Sequence, residues 1–186
     1  MTYAQLVTDV ASWSGKTNLT DIPRMVKLFE NRVNRDVRVR AMEADYSGAI
    51  VDNESAVPAD FLQFKRLWPV GYPKNYLFPQ TLDEVRCKVD GVPTLYALDG
   101  SNVRINGTGD IEGVYFKKIP SLQTDGYNWL STDHYDAYLF GVMAEVCNWM
   151  KDYEGYQINF ARSKGILEDM IGADMRLSGP LVARKA

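Results

Sequence analysis

From Asp133 to Tyr153 the chain carries apolar residues on more than one side of any helix it forms. Tyr138, Leu139, Val142, Val146, Trp149, Met150 and Tyr153 recur at helical spacing, and Phe140, Met143 and Cys147 add apolar mass on a neighbouring face. A helix apolar over most of its circumference has to be covered by something. Core packing of Tyr138–Met150 is the first reading, and a subunit interface the second. Both direct attention to packing and assembly rather than to an active site.

Three further helices are legible. Thr2 followed by Gln5 makes a capping box, Tyr3, Leu6, Val10 and Trp13 follow at helical spacing, and Gly15 supplies a stop. A second start lies at Thr20 or Asp21 with Pro23 in the first turn, and Ile22, Val26, Phe29, Val33 and Val37 carry the stripe to about Arg40. After a break near Gly155, the residues Tyr156, Phe160, Leu167, Met170 and Ile171 trace the last helix.

Between the two helix pairs the character is that of strands and turns. Ile50-Val51 and Ala56-Val57 flank a turn, Pro58–Leu62 is irregular before an extended Arg66–Val70, and Thr81 with Glu84 opens a brief helix. Asp90-Gly91, Asp99-Gly100 and Asn106-Gly107 are hairpin dipeptides separating strands near 94–98, 102–106 and 112–118. The expected fold is therefore mainly α: a four-helix bundle from the N- and C-terminal helix pairs with an inserted antiparallel β meander, in the α+β class. The expected organisation is one domain over 1–177, with the bundle at 1–42 plus 131–177 and the insertion at 43–130. Gly179-Pro180 breaks the last helix and leaves residues 178–186 as a flexible tail.

Composition narrows the function classes. A chain of 186 residues with 46% hydrophobic and 24% charged content is long enough to bury a core. A net charge of −3 gives no global attraction to nucleic acid or to an anionic membrane. Cys87 and Cys147 fit reduced thiols, with no disulfide framework or metal spacing. Neither a secretory leader nor a membrane span is read, so the chain is expected to be made in a cytoplasm-like compartment. The sequons at Asn18, Asn53 and Asn106 are then chance matches.

No motif carries chemistry. Gly15-Lys16-Thr17 resembles the end of a phosphate loop, but the required earlier glycine is Val10, inside an amphipathic helix. His134, the only histidine, has no second metal ligand and no orienting partner in sequence. The carboxylates at Asp133/Asp136, Asp152/Glu154 and Glu168/Asp169 fit helix caps and solvent faces better than a hydrolytic pair. No catalytic residue, metal or cofactor is expected. The second helix is locally basic: Arg24, Lys27, Arg32, Arg35, Arg38 and Arg40 stand against Glu30 and Asp36. That face suits phosphate contact, a salt-bridged subunit contact or plain solvation.

The order of several segments resembles the head-to-tail adaptor (connector) proteins of tailed bacteriophages, of the short-tailed type. The resemblance rests on the basic second helix, Val57–Leu62, Gly91–Gly100, Tyr115–Leu122, Asn128-Trp129-Leu130 and Tyr138–Gly141. It implies a non-enzymatic virion protein of the neck, assembled in the host cytoplasm. Its implied form is a homo-oligomeric ring, typically a dodecamer, joining the portal ring to the nozzle or tail-tube protein around the DNA channel, without membrane contact. Under that resemblance Leu181, Val182, Arg184 and Lys185 are the expected portal contact. Arg32, Arg35 and Arg38 are the expected subunit or DNA-channel contact, including non-specific contact with packaged DNA. The competing readings are a phage cell-wall hydrolase using a carboxylate pair and a small DNA-binding regulator.

Overall fold

The computed structural model describes residues 1–15, 20–86 and 91–178. In chain order they form helix α1 (Tyr3–Ser14), helix α2 (Ile22–Asp36) and a 3-10 turn (Arg40–Met42). Strands β1 (Glu43–Ala49), β2 (Glu54–Ala56), β3 (Phe61–Pro69) and β4 (Phe78–Pro79) follow. Helix α3 (Leu82–Arg86) precedes β5 (Leu95–Asp99), β6 (Asn102–Ile105) and β7 (Asp110–Lys117). The last described elements are helices α4 (Leu122–Asp125), α5 (Trp129–Asp133), α6 (Tyr135–Trp149) and α7 (Tyr153–Ser178). They divide into two compact units: residues 1–41 with those from 119 onward, and residues 42–118.

In the helical unit, Thr2 and Gln5 exchange side-chain and backbone hydrogen bonds across the first turn of α1, and Gly15 ends that helix. Helix α2 stops at Asp36, short of the expected Arg40, because Val37 is extended at φ −105° and ψ 132°. Val37 and Val39 are both buried while Arg38 between them is half-exposed, the two-residue period of a strand. Helix α6 is the axis of the unit. Every residue from Ala137 to Cys147 except Phe140 is buried.

Helices α1, α2, α5 and α7 all pack on α6. This corrects the expected four-helix bundle. A bundle helix covers one apolar stripe, whereas α6 is apolar all round and takes the central place, with its neighbours meeting it more than one another. Two short helices that the sequence did not announce, α4 and α5, complete the unit. Asn128 and Ser131 close a capping box that opens α5, and His134 interrupts the chain before α6 begins.

The second unit corrects the expected meander. It holds two sheets: a three-stranded antiparallel sheet in the order β1-β7-β3 and a four-stranded sheet in the order β2-β6-β5-β4. Strands β5 and β6 form the expected hairpin, but β7 leaves them to pair with β1 on one side and β3 on the other. Ile111, Gly113 and Tyr115 of β7 are buried, so it is a central strand and requires two flanking partners. Strand β4 pairs with β5 in parallel.

Both sheets share one core, with Tyr46, Phe64, Leu67, Ile111 and Tyr115 from the first and Val103 and Ile105 from the second. The Phe64 ring lies 5.1 Å from that of Tyr46 and 5.8 Å from that of Tyr96. Gly107, at φ +155°, admits a close approach: a Cβ there meets the Gly91 carbonyl oxygen at 2.8 Å. The unit also begins and finishes at one place, because Glu43 at the start of β1 opposes Phe116 near the end of β7.

Candidate assembly surface

Helix α2 has an inner face that organises the helical unit and an outer face left to solvent. On the inner side, Glu30 is 7% exposed and lies in line with Val26, Val33 and Val37, inside the apolar stripe. Its carboxylate accepts hydrogen bonds from the Tyr138 hydroxyl at 2.7 Å and from the Leu122 backbone N–H at 2.8 Å. One turn on, Asn34 Oδ1 accepts the Ile119 N–H at 2.9 Å. Asn128 donates from Nδ2 to the Pro120 carbonyl at 2.8 Å and to the Tyr138 hydroxyl at 2.9 Å. Three side chains thus hold the backbone of Ile119–Leu122, the stretch where the chain enters the helical unit for the second time. Burial pushes the Glu30 carboxyl above the usual carboxylate range, against the lowering effect of these hydrogen bonds. Burial, then the nearby Glu30 charge, pushes the Tyr138 phenol up.

The structure separates the three arginines that the sequence grouped. Arg32 forms an ion pair with Glu145 of α6, whose side chain is 8% exposed, and its guanidinium stacks 4.8 Å from the Phe160 ring centre. Arg38 turns back and donates to the carbonyls of Asn34 and Val37 at 2.8 and 2.6 Å, while its Nε has no acceptor among the described residues. Arg35 is exposed on the outer face, in line with Arg24, Lys27, Leu28 and Asn31 at three- and four-residue spacing. The exposed cationic stripe is therefore Arg24, Lys27 and Arg35. Sequence reasoning missed the Glu30–Asn128–Tyr138 set; the available signal was a carboxylate inside the apolar stripe of α2.

Several other surface features belong to the helical unit. A groove of about 260 Å³ runs between the last turn of α2 and α7, with Val37, Phe160, Leu167 and Ile171 as its apolar lining. Arg32, Lys164, Asp36 and Glu168 bear its charges. Trp149 at the end of α6 is 58% exposed, close to a smaller groove it lines with Met25 and Leu28. In the β unit, Tyr72, Tyr76 and Phe78 present exposed rings around another groove.

Several of the residues weighed for chemistry have structural partners. His134 sits at the junction of α5 and α6, its N–H donating to the Leu130 carbonyl at 2.9 Å. Asp136 accepts from the Ala137 N–H and Asp152 from the Gly155 N–H, both helix-start contacts. Glu168 pairs with Lys164. The described His, Cys, Asp and Glu residues form no cluster of metal-binding shape. Lys16, Thr17, Asn18, Cys87 and the tail residues Leu181, Val182, Arg184 and Lys185 lie outside the described residues.

The segments that carried the resemblance act as framework. Tyr115 donates to the Asp60 carboxylate at 3.0 Å, joining Tyr115–Leu122 to Val57–Leu62. Asn106 is buried and accepts from the Thr94 N–H at 3.0 Å, fixing Gly91–Gly100. In Tyr138–Gly141, the hydroxyl of Tyr138 meets Glu30, and Gly141 gives way to the Phe29 ring. Each segment holds one element to another, which suits a protein whose task is to keep its shape.

Comparison with known proteins agrees. No curated protein matches the chain. A family model described as SU10 adaptor protein matches residues 1–184. Nearly the whole chain is thereby covered, both compact units included. The chain belongs to the SU10 adaptor protein family, a phage head-to-tail adaptor family, and is a structural component of the virion that associates with other head and tail proteins.

Proposed function

We propose that copies of this chain close into a ring, typically twelvefold, that docks beneath the portal, carries the tail and lets DNA pass through its centre. The observation that carries this reading is the family match over residues 1–184, which takes in the helical and β units alike. The exposed stripe of Arg24, Lys27 and Arg35 supports it, because a face of uncommitted cations suits the phosphates of DNA moving past without sequence preference. Arg32 serves the interior of the subunit through its ion pair with Glu145. The tail bearing Leu181, Val182, Arg184 and Lys185 reaches another chain of the neck.

Mass photometry of the purified chain, with and without portal, tests the reading. A monomer alone and a closed ring on portal are the expected masses, because no heptad seam is present to drive self-association. A fixed dimer indifferent to portal would refute it.

A further inference from the structure

The groove between α2 and α7 is too small for most metabolites, whose pockets run from about 300 to 1,000 Å³, and suits a pair of aliphatic side chains instead. Its lining is apolar: Val37 and Leu167 are buried beneath it, with Phe160 and Ile171 half-exposed. Its charges are unequal in their commitments. Arg32 is paired with Glu145, and Lys164 with Glu168. Asp36 is exposed and has no ion pair among the described residues. It also stands in the last turn of α2, the negative end of the helix dipole, where a carboxylate is unfavourable until a cation arrives.

We infer that this groove receives the C-terminal segment of a second copy, with Leu181 and Val182 on the apolar lining and Arg184 and Lys185 against Asp36 and Glu168. The inference rests on the ring reading and names the contact between neighbouring copies. The segment Leu-Val-Ala-Arg-Lys carries the required order, an apolar pair followed by two cations. Reach selects a second copy over the same chain. The groove spans α7 from Phe160 to Ile171, which at 1.5 Å per residue lies about 10–27 Å back from Ser178. Leu181 is three residues beyond Ser178, within about 10 Å even when straight, and the chain must first reverse direction. In its own chain the apolar pair reaches no further back than Ile171 and falls short of Leu167 and Phe160, whereas a neighbour's tail meets no such limit.

The test places a photo-reactive benzoyl-phenylalanine at Leu181 of the full-length chain. Light and heavy-isotope chains are mixed and assembled on portal, and cross-linked peptides are read by mass spectrometry. Heavy-to-light cross-links to Val37, Leu167 or Ile171 are expected. Asp36→Lys should lower their yield about fivefold, the scale of one ion pair near the surface, and adding Arg184→Asp with Lys185→Asp should restore it. Rings that form with cross-links only to portal would overturn the inference and leave the ring intact. Cross-links confined within single chains would overturn it too. If no ring forms, the ring reading fails separately. Heavy-to-light links at the groove of the concentrated free chain would then still support the contact, and their absence would overturn it.

Discussion

Glu30 couples burial to pH. Its carboxyl is held above the usual range, so the folded chain binds its proton more tightly than the unfolded chain does. This contribution to stability is fully present below the unfolded carboxylate pKa, about 4.3, and is lost as pH rises through the higher folded value. Glu30→Gln lacks that titration, so its stability relative to the native chain should improve from pH 4 to pH 7 in urea unfolding. Glu30→Ala removes the acceptor of both the Tyr138 hydroxyl and the Leu122 N–H, and should cost about 1–3 kcal/mol. The arginines divide in the same experiment. Arg32→Ala leaves Glu145 buried without its partner and should cost on the order of 3 kcal/mol. Arg35→Ala should stay within about 0.5 kcal/mol, because Arg35 is exposed and makes no ion pair among the described residues. Exposure of α2's outer face follows from its stripe, so Arg35 was legible. The role of Arg32 was not, since its partner lies 113 residues away and a sequence records no distant pairing.

Among the elements, the close crossing of α2 and α6 depends on one missing side chain. A Cβ at Gly141 stands 2.2 Å from the Phe29 ring, itself packed edge-on against Tyr138 at 4.9 Å. Gly141→Ala should therefore destabilise by about 1–3 kcal/mol through overpacking. Phe29→Leu in the same chain should recover part of that loss, a non-additivity that thermal melts of the two single variants and the double variant will show. Helices of this kind are easy to read: α1, α2, α6 and α7 each carry a stripe or continuous apolar run, and Thr2–Gln5 marks a start. Strands β1 and β3 are harder. Glu-Ala-Asp-Tyr-Ser-Gly-Ala buries only Tyr46 of its seven residues, and register shifts at Phe61/Gln63 and Phe64/Arg66 break the alternation of β3. With both hidden, β7 was joined to the nearest hairpin instead of its distant partners.

For the whole molecule, each of the two units is compact in itself, and the chain passes between them at 41/42 and 118/119. Residues 42–118 expressed alone should give a β-rich circular dichroism spectrum and a cooperative melt of their own. Closing residues 41 and 119 with a short Gly-Ser linker should leave the helical unit folded, judged by retained helicity and a sharp transition. A molten remainder in either experiment would show that the cores depend on each other. The pairing of Glu43 with Phe116 explains why the separation is feasible: directly opposed residues of antiparallel strands lie about 4.5–5.5 Å apart, so the insertion departs and returns through a single doorway. In evolutionary terms that doorway is a cassette boundary. A segment whose two ends lie this close can be replaced by another of equal end spacing without moving the ends it leaves behind.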